Sequence, residues 1–264
     1  MKRAWSKLQR TFSLSWVGAA WVAVAASVVA LAFLVLSAAS EDVVNSDGMA
    51  THDPARLHGF ITHRPDGAVR VARMVTMLGN PMTLTLVAIG GSLWLWRRGA
   101  RLMVASAPAL SLGLAGAAAA LSKAVVGRPR PSVGLHLVTE TEPSFPSGHA
   151  TDSTAVFLTL ALVVATLLWR SPRARAAIVA GAVALAGSVG LSRLTLGVHW
   201  PSDVLAGWAL GTMVATFVST TVMLLARVDP GVTADTAGRS HRILTRLHGL
   251  GHAHRPLTSS SGAT

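Results

Sequence analysis

The sequence WVGAAWVAVAASVVALAFLVLSAA, at residues 16–39, contains 24 residues and no charged side chain. A helix needs about 20 consecutive apolar residues to cross the hydrocarbon core of a bilayer. Five further apolar segments of comparable length follow it, at residues 74–96, 102–121, 149–169, 176–196 and 204–226. The sequence therefore predicts an all-α integral membrane protein with six transmembrane helices.

The composition agrees with a lipid environment. Of the 264 residues, 51% are hydrophobic and 13% are charged, whereas charged residues make up about 25% of a typical soluble domain. The chain has no cysteine, which excludes disulfides, thiolate catalysis and thiolate metal ligands. The net charge of +12 is spread between the apolar segments and is not gathered on one basic face. Nucleic acid is therefore not expected as a partner.

The positions of lysine and arginine predict the orientation. If the N-terminus lies in the cytoplasm, the cytoplasmic parts are residues 1–15, 97–101, 170–175 and 227–264. These parts hold 4, 3, 3 and 5 Lys and Arg, which is 15 of the 23 in the chain. Because cytoplasmic loops carry an excess of these residues, we expect a multi-pass plasma membrane protein with both termini in the cytoplasm. The first apolar segment is longer than the roughly 7–15 residues of a signal-peptide core, which favours an uncleaved helix.

These assignments divide the chain into three parts. Residues 1–15 are expected to form a basic cytoplasmic N-terminus, and residues 16–228 the membrane domain. Within that domain, residues 40–72 are predicted to be an outer loop, either a lid or an ordinary connection, with room for a short interfacial helix. Residues 229–264 are basic and polar with four histidines. We expect them to form a flexible cytoplasmic tail and not a metal site.

Three polar clusters interrupt the apolar pattern. They are KAVVGRPRP at residues 123–131, PSGH at residues 146–149 and SRLTLGVHWPSD at residues 192–203. The first directly follows the third predicted helix, the second directly precedes the fourth, and the third joins the fifth to the sixth. The orientation places all three on the outer side of the membrane, and the sequence therefore predicts a site built from helix ends at the outer face.

The cations and backbone donors of these clusters suit an anion. Lys123, Arg130 and Arg193 have no acid next to them in the sequence, and the planar guanidinium group of arginine matches phosphate oxygens. Ser147 and Gly148 lie where a helix begins, so free backbone N–H groups and the helix dipole can face a negative charge. We expect these five residues to hold a phosphoryl group.

Two histidines and an aspartate supply the remaining chemistry. His199 and Asp203 are four residues apart, so they share a helix face if the sixth helix begins near Pro201. A carboxylate fixes the tautomer of an adjacent imidazole and stabilises its cation, and such an imidazole can attack phosphorus. His149 can then protonate the leaving oxygen. Because the sequence shows no carboxylate cluster, neither a metal nor a cofactor is expected, and the cations stabilise the developing charge.

The three clusters resemble the signature of the type 2 phosphatidic acid phosphatase superfamily, which reads Lys-x6-Arg-Pro, then Pro-Ser-Gly-His, then Ser-Arg-x5-His-x3-Asp. All three motifs occur here in order and without a gap. The resemblance implies that His199 forms a phosphohistidine, that Asp203 orients it, and that His149 is the general acid and then activates water. The choice of His199 over His149 as the nucleophile rests on this resemblance. It also implies that Lys123, Arg130, Ser147, Gly148 and Arg193 bind the phosphoryl oxygens.

The resemblance and the membrane setting predict metal-independent hydrolysis of a lipid phosphate monoester or diphosphate at the outer leaflet. Candidate substrates are phosphatidic acid, phosphatidylglycerophosphate and polyprenyl diphosphate. A phosphotransferase that moves the phosphoryl group to a lipid or glycan alcohol would carry the same motifs. A non-catalytic membrane transport or lipid-phosphate-binding protein is a third hypothesis, which is disfavoured because binding alone needs no oriented nucleophile.

Two more charged residues lie beside the motifs without belonging to them. Arg128 is a candidate for substrate binding or for an interfacial anchor to lipid phosphate. Asp152, three residues after His149, is interpreted as a first-turn acid favoured by the helix dipole. Partnership with His149 is the alternative, because the two residues share a helix face.

Overall fold

The computed structural model describes residues 16–62, 64–168 and 171–228. Every regular element within these ranges is helical, and they contain no β-strand, which confirms the predicted all-α class. The basic N-terminus at residues 1–15 and the tail at residues 229–264 lie outside the described residues.

The α-helices follow one another with short connections. In chain order they are α1 (Trp16–Asn45), α2 (Gly48–Thr51), α3 (Asp53–Thr62), α4 (Asp66–Thr76), α5 (Pro81–Arg97), α6 (Leu102–Ala105), α7 (Ala107–Val126), α8 (Gly148–Leu168), α9 (Pro172–Thr195) and α10 (Pro201–Val228). Short 3₁₀ turns occupy Met77–Gly79 and Val133–Leu135. Of the described residues, those from 16 to 224 belong to one compact unit, and the second unit begins at Leu225, within α10.

Five of these helices, α1, α7, α8, α9 and α10, contain segments long and apolar enough to cross a membrane. A bent pair, Asp66–Gly79 and Pro81–Arg97, forms a sixth candidate if it is counted as one span. The two halves of the pair meet at an angle of 50°. The apolar segments predicted from the sequence therefore correspond to five long helices and one broken one, except that the third segment, residues 102–121, also covers the short helix α6.

The second predicted span is broken at Pro81, a proline inside this apolar run that can kink a helix. Proline has no N–H group and suits the first position of a helix, and α5 begins at this residue. The side chain of Asn80 accepts a hydrogen bond from the backbone N–H of Met82 at 2.9 Å, which caps the new helix. The bend also places Gly79 against His149, because a Cβ on Gly79 would lie 3.1 Å from the ring carbon Cδ2.

The segment predicted as an outer loop, residues 40–72, is mostly helical. Helix α1 continues to Asn45, and α2, α3 and the start of α4 occupy most of the remainder. Asp53 and Leu57 are buried and share one face of α3, and both α3 and α4 pack against α9. The segment is therefore part of the helical bundle and not a detached connection.

Helix α8 is surrounded by other helices, since α5, α7 and α9 all pack against it. Its close contact with α10 depends on Gly207, where a Cβ would lie 2.8 Å from the carbonyl oxygen of Ser147. Small residues let membrane helices approach closely in this way. The approach brings the first turns of α8 and α10 together, and the backbone N–H of Ser147 donates to the carbonyl oxygen of Asp203 at 3.0 Å.

Candidate active site

The three predicted motifs meet at one end of the described bundle. Lys123 lies in the last turn of α7 and Arg193 in the last turn of α9. Ser147 immediately precedes α8, Asp203 lies in the first turn of α10, and His199 belongs to the connection before α10. One local expectation was wrong, because Lys123 lies inside the third long helix and not directly after it.

The predicted pair of His199 and Asp203 is formed and buried. The imidazole Nδ1 lies 3.3 Å from Asp203 Oδ2, which also accepts a hydrogen bond from the backbone N–H of Trp200 at 2.9 Å. The other ring nitrogen, Nε2, lies 3.1 Å from Nη1 of Arg130. Because a guanidinium group only donates hydrogen bonds, Nε2 is assigned as the acceptor and Nδ1 as the protonated nitrogen that donates to Asp203.

The charge state of His199 follows from its surroundings. Burial lowers the pKa of the imidazole to about 4, against a hydrogen bond and a negative charge from Asp203 that raise it. The positive charges of Arg130 and Arg193 lower this pKa further. The imidazole is therefore neutral at physiological pH, and Nε2 carries a lone pair, which accepts from Arg130 in this structure.

A cavity of about 440 Å³ opens beside the two histidines. One wall consists of small residues of α7, namely Gly116, Ala119 and Ala120. Such a wall leaves free space next to the two imidazole rings. The predicted site residues that line the cavity are Lys123, Arg130, Gly148, His149 and His199.

Asp152 lines the same cavity, but neither interpretation drawn from the sequence describes it. Helix α8 begins at Gly148 and has no acid in its first turn, so Asp152 belongs to the second turn. Its buried Oδ1 has no hydrogen-bond partner within the described part of the chain. This oxygen of Asp152 therefore makes no hydrogen bond to His149.

Glu140 occupies the space between the two predicted phosphate-binding arginines. Its Oε2 lies 3.4 Å from Nη2 of Arg130, and its Oε1 is paired with Nη2 of Arg193. The same arginines are held in place by neutral oxygens, because Arg130 Nη1 donates to the carbonyl of Val198 at 2.7 Å and Arg193 Nη1 to Oγ1 of Thr76 at 2.7 Å. The guanidinium groups are thus fixed in position, with a carboxylate between them.

Lys123 has an acidic neighbour of its own. Its Nζ lies 3.2 Å from Oε2 of Glu142 and donates to the carbonyl oxygen of Pro143 at 2.7 Å. The inference that the three cations have no acid beside them holds along the sequence but is wrong in three dimensions. The reason is that the chain between residues 131 and 146 folds back over the cations, which no local pattern reveals.

Two predicted phosphate ligands carry buried atoms without a partner. Neither Ser147 Oγ nor Arg193 Nε makes a hydrogen bond to any other described residue. Buried polar atoms are nearly always paired in folded proteins, so each unpaired one calls for an explanation. Both atoms can donate to an anion, so their chemistry fits the phosphate-binding role predicted for these residues.

The contacts of Arg128 match neither of its two predicted roles, substrate binding and anchoring to lipid phosphate. Its Nη1 lies 2.5 Å from Asp203 Oδ1 and donates to Oγ of Ser202 at 2.7 Å, while its Nη2 donates to Asp53 Oδ2 at 2.8 Å. Its guanidinium carbon also lies 5.6 Å from the ring centre of Trp200. Sequence reasoning did not single out Asp53, because nothing local connects it to residues about 150 positions later.

A metal-binding cluster was not predicted. The described residues include no group of three or more His, Cys, Asp or Glu arranged to hold a metal ion. The expectation of metal independence stays a prediction that only an activity measurement can test.

Comparisons with known proteins give a consistent result. A family model described as the PAP2 superfamily matches residues 105–226, the part of the chain that contains all three motifs. Decaprenylphosphoryl-5-phosphoribose phosphatase of Mycobacterium tuberculosis is 35% identical over 166 residues, which are 61% of this chain and 84% of that protein. Phosphatidylglycerophosphatase B of Bacillus subtilis is 30% identical over 190 residues, which are 69% of this chain and 87% of that protein.

The fold has a counterpart among solved structures. The crystal structure of the first transmembrane PAP2-type phosphatidylglycerolphosphate phosphatase from Bacillus subtilis matches with a TM-score of 0.63 and 25% sequence identity. The match covers 74% of this chain and 93% of that chain. The helical architecture is therefore shared with that protein.

Proposed function

Because this chain belongs to the PAP2 superfamily and is a phosphatase of lipid phosphates, we propose that it works in two steps through a phosphohistidine at His199. The observation that carries the proposal is the hydrogen bonding of this imidazole. Asp203 holds Nδ1–H, and Nε2 faces Arg130 at 3.1 Å. The lone pair of Nε2 is thus directed to a place where a cation can hold a phosphoryl oxygen.

In the first step, Nε2 of His199 forms a bond to phosphorus, and the bond between phosphorus and the lipid oxygen breaks. His149, which lines the same cavity, donates a proton to the departing oxygen. For a lipid diphosphate, the leaving group is the lipid monophosphate instead of an alcohol. Asp203 stabilises the positive charge that develops on the ring, as a carboxylate does for an imidazolium ion.

In the second step, His149 takes a proton from a water molecule, and the water oxygen forms a bond to phosphorus. The bond between phosphorus and Nε2 breaks, and inorganic phosphate leaves. His199 returns to its neutral form and His149 again carries the proton that the next cycle needs. All atoms and charges therefore balance over the two steps without a further reactant.

The charge of the phosphoryl group is balanced by fixed donors. Arg130 and Arg193 present guanidinium groups that are already held by Val198 and Thr76, and Lys123 adds a third positive charge. Ser147 Oγ and the N–H groups at the start of α8 complete the set. Donors that do not have to reorganise stabilise a transition state best.

The substrate is proposed to be a lipid with a terminal phosphate or diphosphate. The helices around the site are long and apolar enough to cross a membrane, and small residues of α7 form one wall of the cavity, where a lipid group would fit. The candidates are phosphatidic acid, phosphatidylglycerophosphate, polyprenyl diphosphate and, from the Mycobacterium tuberculosis relative, decaprenylphosphoryl-5-phosphoribose.

The test is phosphate release from these four lipids by the full-length protein in detergent, with EDTA present. We expect release from at least one lipid, and a His199→Gln control that releases none. Loss of the phosphoryl group from the lipid only when an alcohol is added, with the group then found on that alcohol, would point to a phosphotransferase. Binding of the lipids without release would favour a non-catalytic protein, and both outcomes would overturn the proposal.

The site is proposed to face the outside of the plasma membrane, because the basic residues concentrate on the opposite side in the sequence. The same assay tests this with intact cells and dioctanoyl phosphatidic acid added to the medium. We expect phosphate to appear in the medium at a rate that depends on His199. Release that requires the cells to be opened would show that the site faces the cytoplasm.

A further inference from the structure

A chain of hydrogen bonds, buried at Asp53, Asp203 and His199 and partly exposed at Arg128, extends from helix α3 to the nucleophile. Asp53 is fully buried, and its Oδ2 accepts from Arg128 at 2.8 Å. Arg128 in turn lies 2.5 Å from Asp203 Oδ1, and Asp203 Oδ2 holds His199. None of the family motifs includes Asp53 or Arg128, and neither residue lines the cavity beside the histidines.

Asp53 also caps the helix that carries Asp203. Its Oδ1 accepts from the backbone N–H of Ser202 at 3.1 Å, and its Oδ2 accepts from the hydroxyl group of the same serine. Ser202 lies in the first turn of α10, where N–H groups have no partner within the helix. A carboxylate at this position satisfies such a group and complements the helix dipole.

These contacts fix the plane of the Asp203 carboxylate. One oxygen is held by Arg128, and the other receives hydrogen bonds from Trp200 N–H and from the imidazole of His199. We infer that Asp53 and Arg128 are positioning residues, which hold Asp203 and thereby aim Nε2 of His199 at the phosphorus. The inference rests on the proposed function, because it concerns the nucleophile named there.

The variants Asp53→Asn and Arg128→Gln test this inference. Each is expected to lower kcat for phosphate release by about 10- to 100-fold, since a small misplacement of reacting atoms costs that much. KM for the lipid is expected to change less than about twofold, because neither residue lines the cavity. The double variant should have about the same kcat as the slower of the two single variants, because the effects of substitutions within one network do not add.

Matched controls come from exposed residues of the same region. Asp47 and Arg56 are exposed, on the chain just before and just after Asp53, and Asp47→Asn and Arg56→Gln should retain wild-type kcat. Arg128→Lys should recover only part of kcat, because one ammonium group does not reproduce the fork that reaches both Asp53 and Asp203. Such a partial recovery in kcat is not expected from a loss of folded protein.

Two results would overturn the inference while leaving the proposed function intact. One is an unchanged kcat in Asp53→Asn and Arg128→Gln, with His199→Gln inactive. The other is a raised KM at constant kcat in Arg128→Gln, which would make Arg128 a substrate-binding residue. If instead the wild-type protein releases no phosphate from any lipid, the proposed function itself fails.

A second, independent observation concerns Glu140. Its carboxylate bridges Arg130 and Arg193, whose side chains are only 9% and 2% exposed, while Glu140 itself is 22% exposed. Two nearly buried like charges repel each other and lose hydration, so a shared carboxylate stabilises them when no substrate is bound. The Glu140 carboxylate makes no hydrogen bond to Arg193 Nε or Ser147 Oγ, and neither atom has another partner among the described residues.

We propose that Glu140 is a built-in counter-ion that the substrate phosphate displaces. A phosphate group carries more acceptor oxygens than a carboxylate, so it can bridge both guanidinium groups and also reach the two unpaired donors. The Glu140 carboxylate and the phosphate group are both negative and repel each other, so they do not contact the same Nη atoms at the same time. The partial exposure of Glu140 lets its side chain turn away from the cations when phosphate arrives.

The test is to measure by calorimetry how tightly inorganic phosphate binds to the full-length protein in detergent. Glu140→Gln is expected to bind phosphate roughly tenfold more tightly, because a neutral amide competes less for the arginines. Glu142→Gln is the matched control, with an expected change below about twofold, since Glu142 is 72% exposed and exposed ion pairs contribute little.

Equal or weaker phosphate binding by Glu140→Gln would reject the counter-ion role. To separate this from a damaged site, Glu140→Asp is measured alongside it. The shorter side chain does not span both arginines, so its affinity for phosphate should lie between those of the wild type and Glu140→Gln. Because binding is measured without turnover, the result does not depend on whether the proposed hydrolysis occurs.

Discussion

His199→Gln is expected to lose phosphoenzyme formation completely and to release lipid phosphate at least about 10⁴-fold more slowly than the wild type. The amide of glutamine can still accept a hydrogen bond from Arg130, so the surroundings are preserved while the nitrogen proposed to attack phosphorus is removed. The measurement is trapping of acid-labile phosphate on the protein during turnover, together with the rate of phosphate release.

His149→Gln separates the two steps and serves as the comparison for that experiment. Without the proton donor, a lipid alcohol leaves slowly, whereas p-nitrophenolate needs no protonation. We therefore expect His149→Gln to form a phosphoenzyme from p-nitrophenyl phosphate and to accumulate it, because water activation is also lost. If His149→Gln fails to label and His199→Gln labels normally, then His149 is the nucleophile and the assignment is reversed.

Asp203→Asn is the second change with a large expected effect, about a 10³- to 10⁴-fold fall in kcat. An asparagine amide can turn its NH₂ group toward Nδ1 of His199, which forces the ring proton to Nε2. Nε2, the nitrogen proposed to attack phosphorus, then carries a proton and has no lone pair with which to form the bond. KM is expected to stay nearly constant, since Asp203 is fully buried and does not line the cavity.

The control for this variant is Asp66→Asn. Asp66 is also an acid in the first turn of a helix, but it is exposed and belongs to α4. It should leave kcat unchanged, so a general effect of removing a helix-terminal acid can be separated from the effect on His199. Nitrogen-15 shifts of the His199 ring report the tautomer directly, and an Asp203→Asn protein with an unchanged tautomer and near-normal kcat would disprove the argument.

Much of the membrane architecture was predictable because its cause is local. A bilayer span requires a long run of apolar residues, and each such run in the sequence corresponds to a helix or to the bent pair at Pro81. The bend itself follows from the missing N–H of that proline. What the apolar run did not show is that the chain before Asn80 turns away as a separate helix, α4, because amphipathic packing against α9 decides that.

The same distinction applies to the loop at residues 40–72. A polar segment without a long apolar run predicts a connection outside the membrane, and it reveals little about packing. In the structure, two inward-facing residues of α3, Asp53 and Leu57, tie this segment to the bundle. Their partners lie far along the chain, so no periodicity within the segment identified them as buried.

The sequence by itself identified the polar groups that the structure brings to one end of the bundle, because helix ends and short spacings place them. The four-residue spacing of His199 and Asp203 becomes a contact as soon as a helix begins at Pro201. The tertiary structure alone decided which charges meet. Glu140 lies between Arg130 and Arg193. Arg128 joins Asp53 to Asp203, each of which is 75 positions away from it in the sequence. Electrostatic contacts depend on distance in space, and only the folded bundle sets that distance.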